Sequence, residues 1–383
     1  MRILILRLGA LGDILHALPA VTAIRHTLPD ATIGWLVEEK WSELLTAHGH
    51  KDTPEAITAQ KPVANLIHTV NTARWRKDLL SSKTIREIRG DLARLRSVHY
   101  ELAIDFQGNA KSAIFGKLSR ASRRAGYVDP RESVARFFYT QRFPRAGEHV
   151  IVQNHAMAVL ALKEALGANS NDLKHTGLKF TELKFTETKF TEPKLTEPKL
   201  TAPELPHDSA AEAWADAELR RLGVASFAMV TPGAGWGGKQ WPPERFGQVA
   251  AGLAKHNLRT LVNCGPGEQA LAQAVIDSSG GAAMKVTATI SQLIAITRRC
   301  RLFIGGDTGP LHIAASLQVP VVGIYGPTSP ARTGPFGTRA IVLRHPESET
   351  TFSHHASPDS GMLKITADEV LRAARQLLGG AHA

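Results

Sequence analysis

Apolar positions along the chain come in two alternating textures. Short, β-branched runs occupy residues 2–7, 32–37 and 102–105, and the theme returns at 227–231, 259–263, 302–304 and 319–324. Between them lie longer stretches whose apolar residues recur at helical spacing, at 14–28, 245–255, 269–278 and 310–317. A continuous apolar run is what a strand covered on both faces requires, and alternation with amphipathic helices predicts doubly wound parallel α/β sheets in each half. Ligands of such sheets bind outside the carboxyl ends of the strands, so the chemistry is expected in the segments that follow them.

The two halves are separated by a segment of another kind. Residues 178–202 are five copies of one pentad, from Leu-Lys-Phe-Thr-Glu to Pro-Lys-Leu-Thr-Ala. A period of five fits neither helix nor strand, and the prolines at 193, 198, 203 and 206 favour extended chain. This predicts a domain at 1–170, a low-complexity linker at 171–207 and a second domain at 208–383, the two facing across a cleft. The C-terminal helix is free in this reading to pack back on the first domain.

Composition narrows the class. With 43% hydrophobic and 21% charged residues in 383, the chain is that of a globular protein, and no run approaches 18 uninterrupted apolar residues. The four apolar residues between Arg2 and Arg7 are too few for a signal-peptide core, so a cytoplasmic location is expected. Two cysteines, Cys264 and Cys300, support neither a disulfide framework nor a zinc site of their own. The formal charge of +11 is concentrated: residues 74–145 hold 17 Lys/Arg against 7 Asp/Glu. Such a stretch suits an anionic partner, whether nucleic acid, an acidic substrate or an anionic membrane face. Few aromatics interleave it, which argues against stacking on a single-stranded nucleic acid.

Four segments carry candidate chemistry. Arg7-Leu8-Gly9-Ala10-Leu11-Gly12-Asp13 follows the first strand; its glycines permit a tight turn and close ligand approach, and Asp13 is either a helix cap or a general base. The spacing is not GxGxxG, which disfavours a nicotinamide-dependent oxidoreductase. Gly233 to Lys239 satisfies G-x-x-x-x-G-K, yet Gln240 stands where a P-loop needs Ser or Thr, and Pro242-Pro243 suits a helix starting later. What remains is a glycine-rich loop that brings Lys239 onto a phosphate or leaves it in solvent. In the third segment a strand runs into Gly305-Gly306-Asp307-Thr308-Gly309-Pro310. Its early helix amides, at Thr308 and Gly309, suit a diphosphate, with His312 a further donor or a core histidine. Glu268, in Asn263-Cys264-Gly265-Pro266-Gly267-Glu268, suits the paired hydroxyls of a ribose or a helix cap. No Asp-x-Asp pair or His/Asp cluster has metal-ligand spacing, so neither metal nor other cofactor is expected.

Together these motifs resemble those of the bacterial lipopolysaccharide heptosyltransferases of glycosyltransferase family 9, inverting sugar transferases of the GT-B fold with two Rossmann-like domains. The resemblance implies that Asp13 is the catalytic base and that Lys239, in Lys239-Gln240-Trp241-Pro242, acts on the donor. It implies donor binding by Glu268, Asp307, Thr308, Gly309 and His312, supported by Tyr325-Gly326-Pro327-Thr328. The acceptor would be held by Arg74, Arg76, Lys77, Lys111 and Arg120. The implied reaction moves heptose from ADP-L-glycero-β-D-manno-heptose to a Kdo sugar on lipid A, with peripheral contact to the anionic cytoplasmic face of the inner membrane and no nucleic acid partner. Ala73-Arg74-Trp75-Arg76-Lys77 and the segment Asp105 to Ser112 favour type I over type II. Type II, another family 9 member, and a non-catalytic nucleotide- or nucleic-acid-binding module are the alternatives.

Overall fold

The computed structural model describes residues 1–49, 56–167, 200–351 and 353–379. The chain forms two compact units, Met1–Pro206 and His207–Ala383. The first is built on six parallel strands, β1 (Arg2–Leu6), β2 (Thr32–Glu38), β3 (Leu66–Val70), β4 (Leu102–Asp105), β5 (Arg123–Tyr127) and β6 (Gln141–Phe143), in the order β3-β2-β1-β4-β5-β6. Its helices are α1 (Leu11–Thr27), α2 (Thr72–Lys77), α3 (Ser82–Ser97), α4 (Ala110–Leu118) and α5 (Val150–Leu166). The central β1 is Ile-Leu-Ile-Leu after Arg2, buried throughout, as expected of a strand with helices on both faces. Leu4 and Leu6 share one core with Leu95 of α3 and Phe115 of α4, while α1 and α5 pack together.

The second unit repeats the plan with β7 (Phe227–Thr231), β8 (Arg259–Asn263), β9 (Ala283–Val286), β10 (Leu302–Gly306), β11 (Val321–Tyr325) and β12 (Ala340–Arg344), ordered β12-β11-β10-β7-β8-β9. Its helices are α6 (Ser209–Leu222), α7 (Pro243–Ala254), α8 (Gln269–Asp277), α9 (Ile290–Thr297), α10 (Gly309–Ser316), α11 (Pro330–Thr333) and α12 (Ala367–Gly379). In both sheets the chain leaves the first strand in one direction and resumes on its other side with the fourth. The carboxyl ends of β1 and β4, and of β7 and β10, therefore flank the crevice where such sheets take ligands.

The C-terminal helix α12 buries Val370, Ala373, Ala374 and Leu377 against α7, β10, β11 and β12, all within its own unit. The pentad repeat lies outside the described residues except for its last three positions, 200–202. Just beyond it the chain lies on α1, where the Glu204 amide donates to Thr22 Oγ1 at 3.4 Å and its carboxylate meets His26 Nε2 at 2.8 Å.

Candidate active site

At the carboxyl end of β1 the chain is organised around Arg7, which is 8% exposed. One guanidinium nitrogen donates to the Phe106 carbonyl, and Nη2 pairs with Asp13 Oδ1 at 2.8 Å. Helix α1 starts at Leu11, earlier than its apolar periodicity implies, so Asp13 falls in its first turn and Ala10 is the N-cap. Alanine has no capping side chain; Asp13 Oδ2 reaches back to accept the Ala10 amide at 3.1 Å, the far half of a capping box. The carboxylate thus closes the helix start and still keeps 37% of its side-chain surface exposed, with lone pairs left for a hydroxyl proton. Gly9 admits no side chain, because a Cβ there would lie 2.8 Å from Trp41 Nε1.

This loop is braced from β4. Gln107 Oε1 accepts the Leu8 amide at 3.0 Å and the Gly9 amide at 3.4 Å. Gln107 is in turn fixed by Asp105, a buried carboxylate that accepts the amides of Gln107 and Gly108 and the hydroxyls of Ser112 and Tyr139, at 2.8–3.1 Å. Burial raises the Asp105 carboxyl above its ordinary value, and the four hydrogen bonds oppose that rise. From the sequence this segment separated the types and offered Lys111 to the acceptor, but no role was read for Asp105 or Gln107. An acid ending an apolar strand, with a glycine and a serine soon after, was the available signal of a loop clamp.

The five expected acceptor residues divide. Arg74, Arg76 and Lys77 are exposed on α2, just after β3, with Arg74 paired to Glu87 at 2.7 Å. Lys111, in the first turn of α4, reaches Glu38 Oε1 at 3.1 Å and Thr72 Oγ1 at 2.8 Å, which ties it to the start of α2. These four share the carboxyl end of the sheet. Arg120 does not, because α4 carries the chain about 13 Å back toward the amino ends of the strands before reaching it. It sits just past the end of α4 with φ 63°, where a positive side chain complements the helix dipole.

In the second unit two separate motifs meet. Lys239 ends a short turn after β7, and its Nζ donates to Asp307 Oδ2 at 2.8 Å and to the Asp307 carbonyl at 3.3 Å. His312 Nε2 lies 3.0 Å from Asp307 Oδ1, and the Thr333 hydroxyl 3.4 Å from Oδ2. Burial would raise the Asp307 carboxyl, but the hydrogen bonds and charges of His312 and Lys239 outweigh it and bring the group far below the usual carboxylate range. An ammonium has three hydrogens, and two are engaged here, so one remains for a ligand oxygen.

Around this cluster polar groups are left unspent. The buried hydroxyls of Thr231, Thr308 and Thr328, at the carboxyl ends of the adjacent strands β7, β10 and β11, find no hydrogen-bond partner among the described residues. Thr308 is the N-cap of α10 but makes no side-chain cap bond, so the first amides of that helix have no capping acceptor. Orphaned donors grouped at a helix start are what an anionic ligand satisfies. Glu268 occupies the N-cap position of α8 without capping it. Its Oε2 accepts the Gly265 amide at 2.9 Å, and its carboxylate lies over Gly233, where a Cβ would come within 1.9 Å of Oε1. The acid after β8 is thereby set against the glycine-rich loop after β7.

That loop has a partner the sequence reading missed. The Gly238 amide donates to the His355 carbonyl at 3.0 Å, and the Asp359 amide returns a bond to the Gly238 carbonyl at 3.2 Å. Asp359 Oδ1 accepts the Met362 amide and the Ser348 hydroxyl, and Trp236 stacks on His354 with ring centroids 5.0 Å apart. No local spacing signals contacts between segments more than 100 residues apart. Among the described residues no group of three His, Cys, Asp or Glu is placed to hold a metal ion.

The architecture is that of GT-B glycosyltransferases. The structure titled Escherichia coli heptosyltransferase WaaC with ADP matches at 21% identity and a TM-score of 0.71, covering 98% of this chain and 100% of that one. Escherichia coli ADP-heptose lipopolysaccharide heptosyltransferase II matches with the same TM-score at 18% identity, covering both chains fully. The chain belongs to glycosyltransferase family 9 (heptosyltransferase), whose model matches residues 92–360. Lipopolysaccharide heptosyltransferase 1 of Pseudomonas aeruginosa is 26% identical over 347 residues, 90% of this chain and 83% of that protein.

Proposed function

We propose that the protein is a type I heptosyltransferase, moving heptose from its ADP-activated form to the Kdo sugar of lipopolysaccharide. The observation that carries this reading is the Lys239–Asp307–His312 cluster with three orphaned threonine hydroxyls around it, a set of donors suited to a sugar diphosphate. Relatives named lipopolysaccharide heptosyltransferase 1 match over about nine-tenths of the chain, which favours type I. The two solved folds do not separate the types, since both give a TM-score of 0.71.

In this mechanism Asp13 accepts the proton of the acceptor hydroxyl as that oxygen attacks the anomeric carbon, and Arg7 keeps the carboxylate oriented. The bond to the ADP oxygen breaks, and Lys239 with the amides of Thr308 and Gly309 stabilises the charge developing on that oxygen. Glu268 holds the ribose hydroxyls. In this reading Arg74, Arg76, Lys77 and Lys111 bind the acceptor's carboxylate and phosphates, and the enzyme works at the anionic cytoplasmic membrane face that carries the acceptor. No metal is required, because protein cations and amides offset the diphosphate charge. Purified acceptors test the reading: ADP-heptose should yield a singly heptosylated Kdo-lipid A, at a rate unchanged by a chelator and without competition from RNA. Transfer only to an already heptosylated core would assign type II instead.

A further inference from the structure

Ten large hydrophobic side chains are exposed among the described residues, and seven of them lie between 79 and 137. The strongly basic stretch 74–145 contains that same interval. The extremes are Leu80 at 91%, Phe137 at 73% and Leu79 at 56% exposure. Leu79 and Leu80 form the turn between α2 and α3, with Lys77 before them and Lys83 after, both exposed. Phe137 lies on a short 3-10 turn, Ser133–Phe138, where the Arg136 guanidinium rests 5.0 Å from its ring centre.

Helix α4 lies between these protrusions. Trp75 of α2 packs on its Phe115 with ring centroids 6.3 Å apart, its Lys117 stands 5.8 Å over Phe138, and its own Ile114 is 42% exposed. The α2–α3 turn with Leu79–Leu80 and the turn with Phe137 thus flank α4, with Lys77 and Lys83 beside the first in sequence and Arg136 against the second. Apolar side chains that project singly, ringed by Lys and Arg, suit the boundary between headgroups and acyl chains of an anionic bilayer. A protein interface instead favours a flat, closely packed apolar centre with its charges confined to the rim.

We propose that this side of the first unit docks on an anionic bilayer, with Leu79, Leu80 and Phe137 entering the headgroup layer and Lys83 and Arg136 meeting the lipid phosphates. The proposal rests on the reading of a membrane-borne acceptor and adds to it the residues that make contact. It is tested by sedimentation of the full-length protein with vesicles of phosphatidylglycerol and phosphatidylethanolamine, beside vesicles of phosphatidylcholine alone. Wild type should bind the anionic vesicles at least tenfold more tightly. The double variant L79S/L80S, and separately F137S, should each lose at least tenfold of that affinity, and K83E/R136E should lose the dependence on salt. All the substituted side chains are exposed, so melting temperatures should stay unchanged, as should transfer to a soluble, acyl-free Kdo acceptor.

Equal binding to both kinds of vesicle, or wild-type affinity in L79S/L80S and F137S, overturns the proposal. So does self-association in the absence of vesicles that L79S/L80S abolishes, which would make this side an interface between copies. Vesicle binding without any heptose transfer would instead defeat the functional reading and leave the docking surface standing.

Discussion

The two units order their strands identically and set a buried acid at the carboxyl end of the fourth strand, yet they surround it differently. Asp105 of the first unit meets two amides and two hydroxyls, all neutral, and burial raises its carboxyl. Asp307 of the second meets an ammonium and an imidazole, and its carboxyl is driven far below the usual range. Neutral donors consume the oxygens of Asp105 in fixing a loop, and that loop holds Arg7 and Asp13 through Gln107. Charged donors leave a lysine with a hydrogen to spare. One topological position thus builds a neutral brace in the first unit and a charged cluster in the second.

The largest expected effect breaks this contrast directly. Asp307→Asn strips a buried charge from two partners and should destabilise the second unit by ~3–5 kcal/mol, whereas Asp105→Asn removes no ion pair and should cost ~1–3 kcal/mol. Denaturant melts of both variants check it, and the reverse ranking would show that the neutral brace is the stronger element. Next, Lys239→Met should lower turnover by ~10²–10³ and weaken ADP-heptose binding. Calorimetry on the folded protein reads the affinity, and an unchanged value would confine Lys239 to pairing with Asp307.

Acid should separate the units as well. His68 and His155 of the first unit are pushed down to about 4 by burial. The unfolded chain binds their protons more readily, near pH 6.5, so stability falls as pH drops from about 6.5 towards 4, by up to ~3 kcal/mol for each histidine. The raised Asp105 opposes this by gaining its proton more readily in the folded state. The depressed Asp307 acts only lower, its contribution being lost below about pH 4. Hydrogen exchange at pH 7 and pH 5 should therefore show the first unit loosening while the second does not, and H68Q/H155Q should flatten that response. Smallest of all, deleting residues 178–197 should change turnover by less than about twofold, since the chain lies on α1 again by Glu204.

The architecture was legible where burial dictates composition. The interior strands β1, β4, β7, β8, β10 and β11 are apolar runs, and each was placed to within a residue or two. Strands β5, β6 and β12 were not: β5 reads Arg-Arg-Ala-Gly-Tyr, β6 has three residues, and β12 is nowhere fully buried, so none carries a continuous apolar signal. The motifs of the site were legible singly, because glycines and acids after strands are local features. Their meetings were not. Lys239 finds Asp307 across 68 residues, and Arg7 finds Phe106 across 99, through strand adjacency that no spacing encodes. Arg120 lies apart from the other four for a related reason: a residue close to Lys111 in sequence is one helix away in space.

Single-turnover transfer by Asp13→Asn, measured beside its affinity for ADP-heptose, tests most directly whether the first unit supplies the base and the second holds the donor. Asparagine retains an oxygen for the Ala10 amide, so the start of α1 should survive the change. The expected result is donor affinity within about twofold of wild type and transfer slower by ~10²–10⁴, the usual share of a general base. Transfer near the wild-type rate, or loss of donor binding together with transfer, would contradict that division of labour.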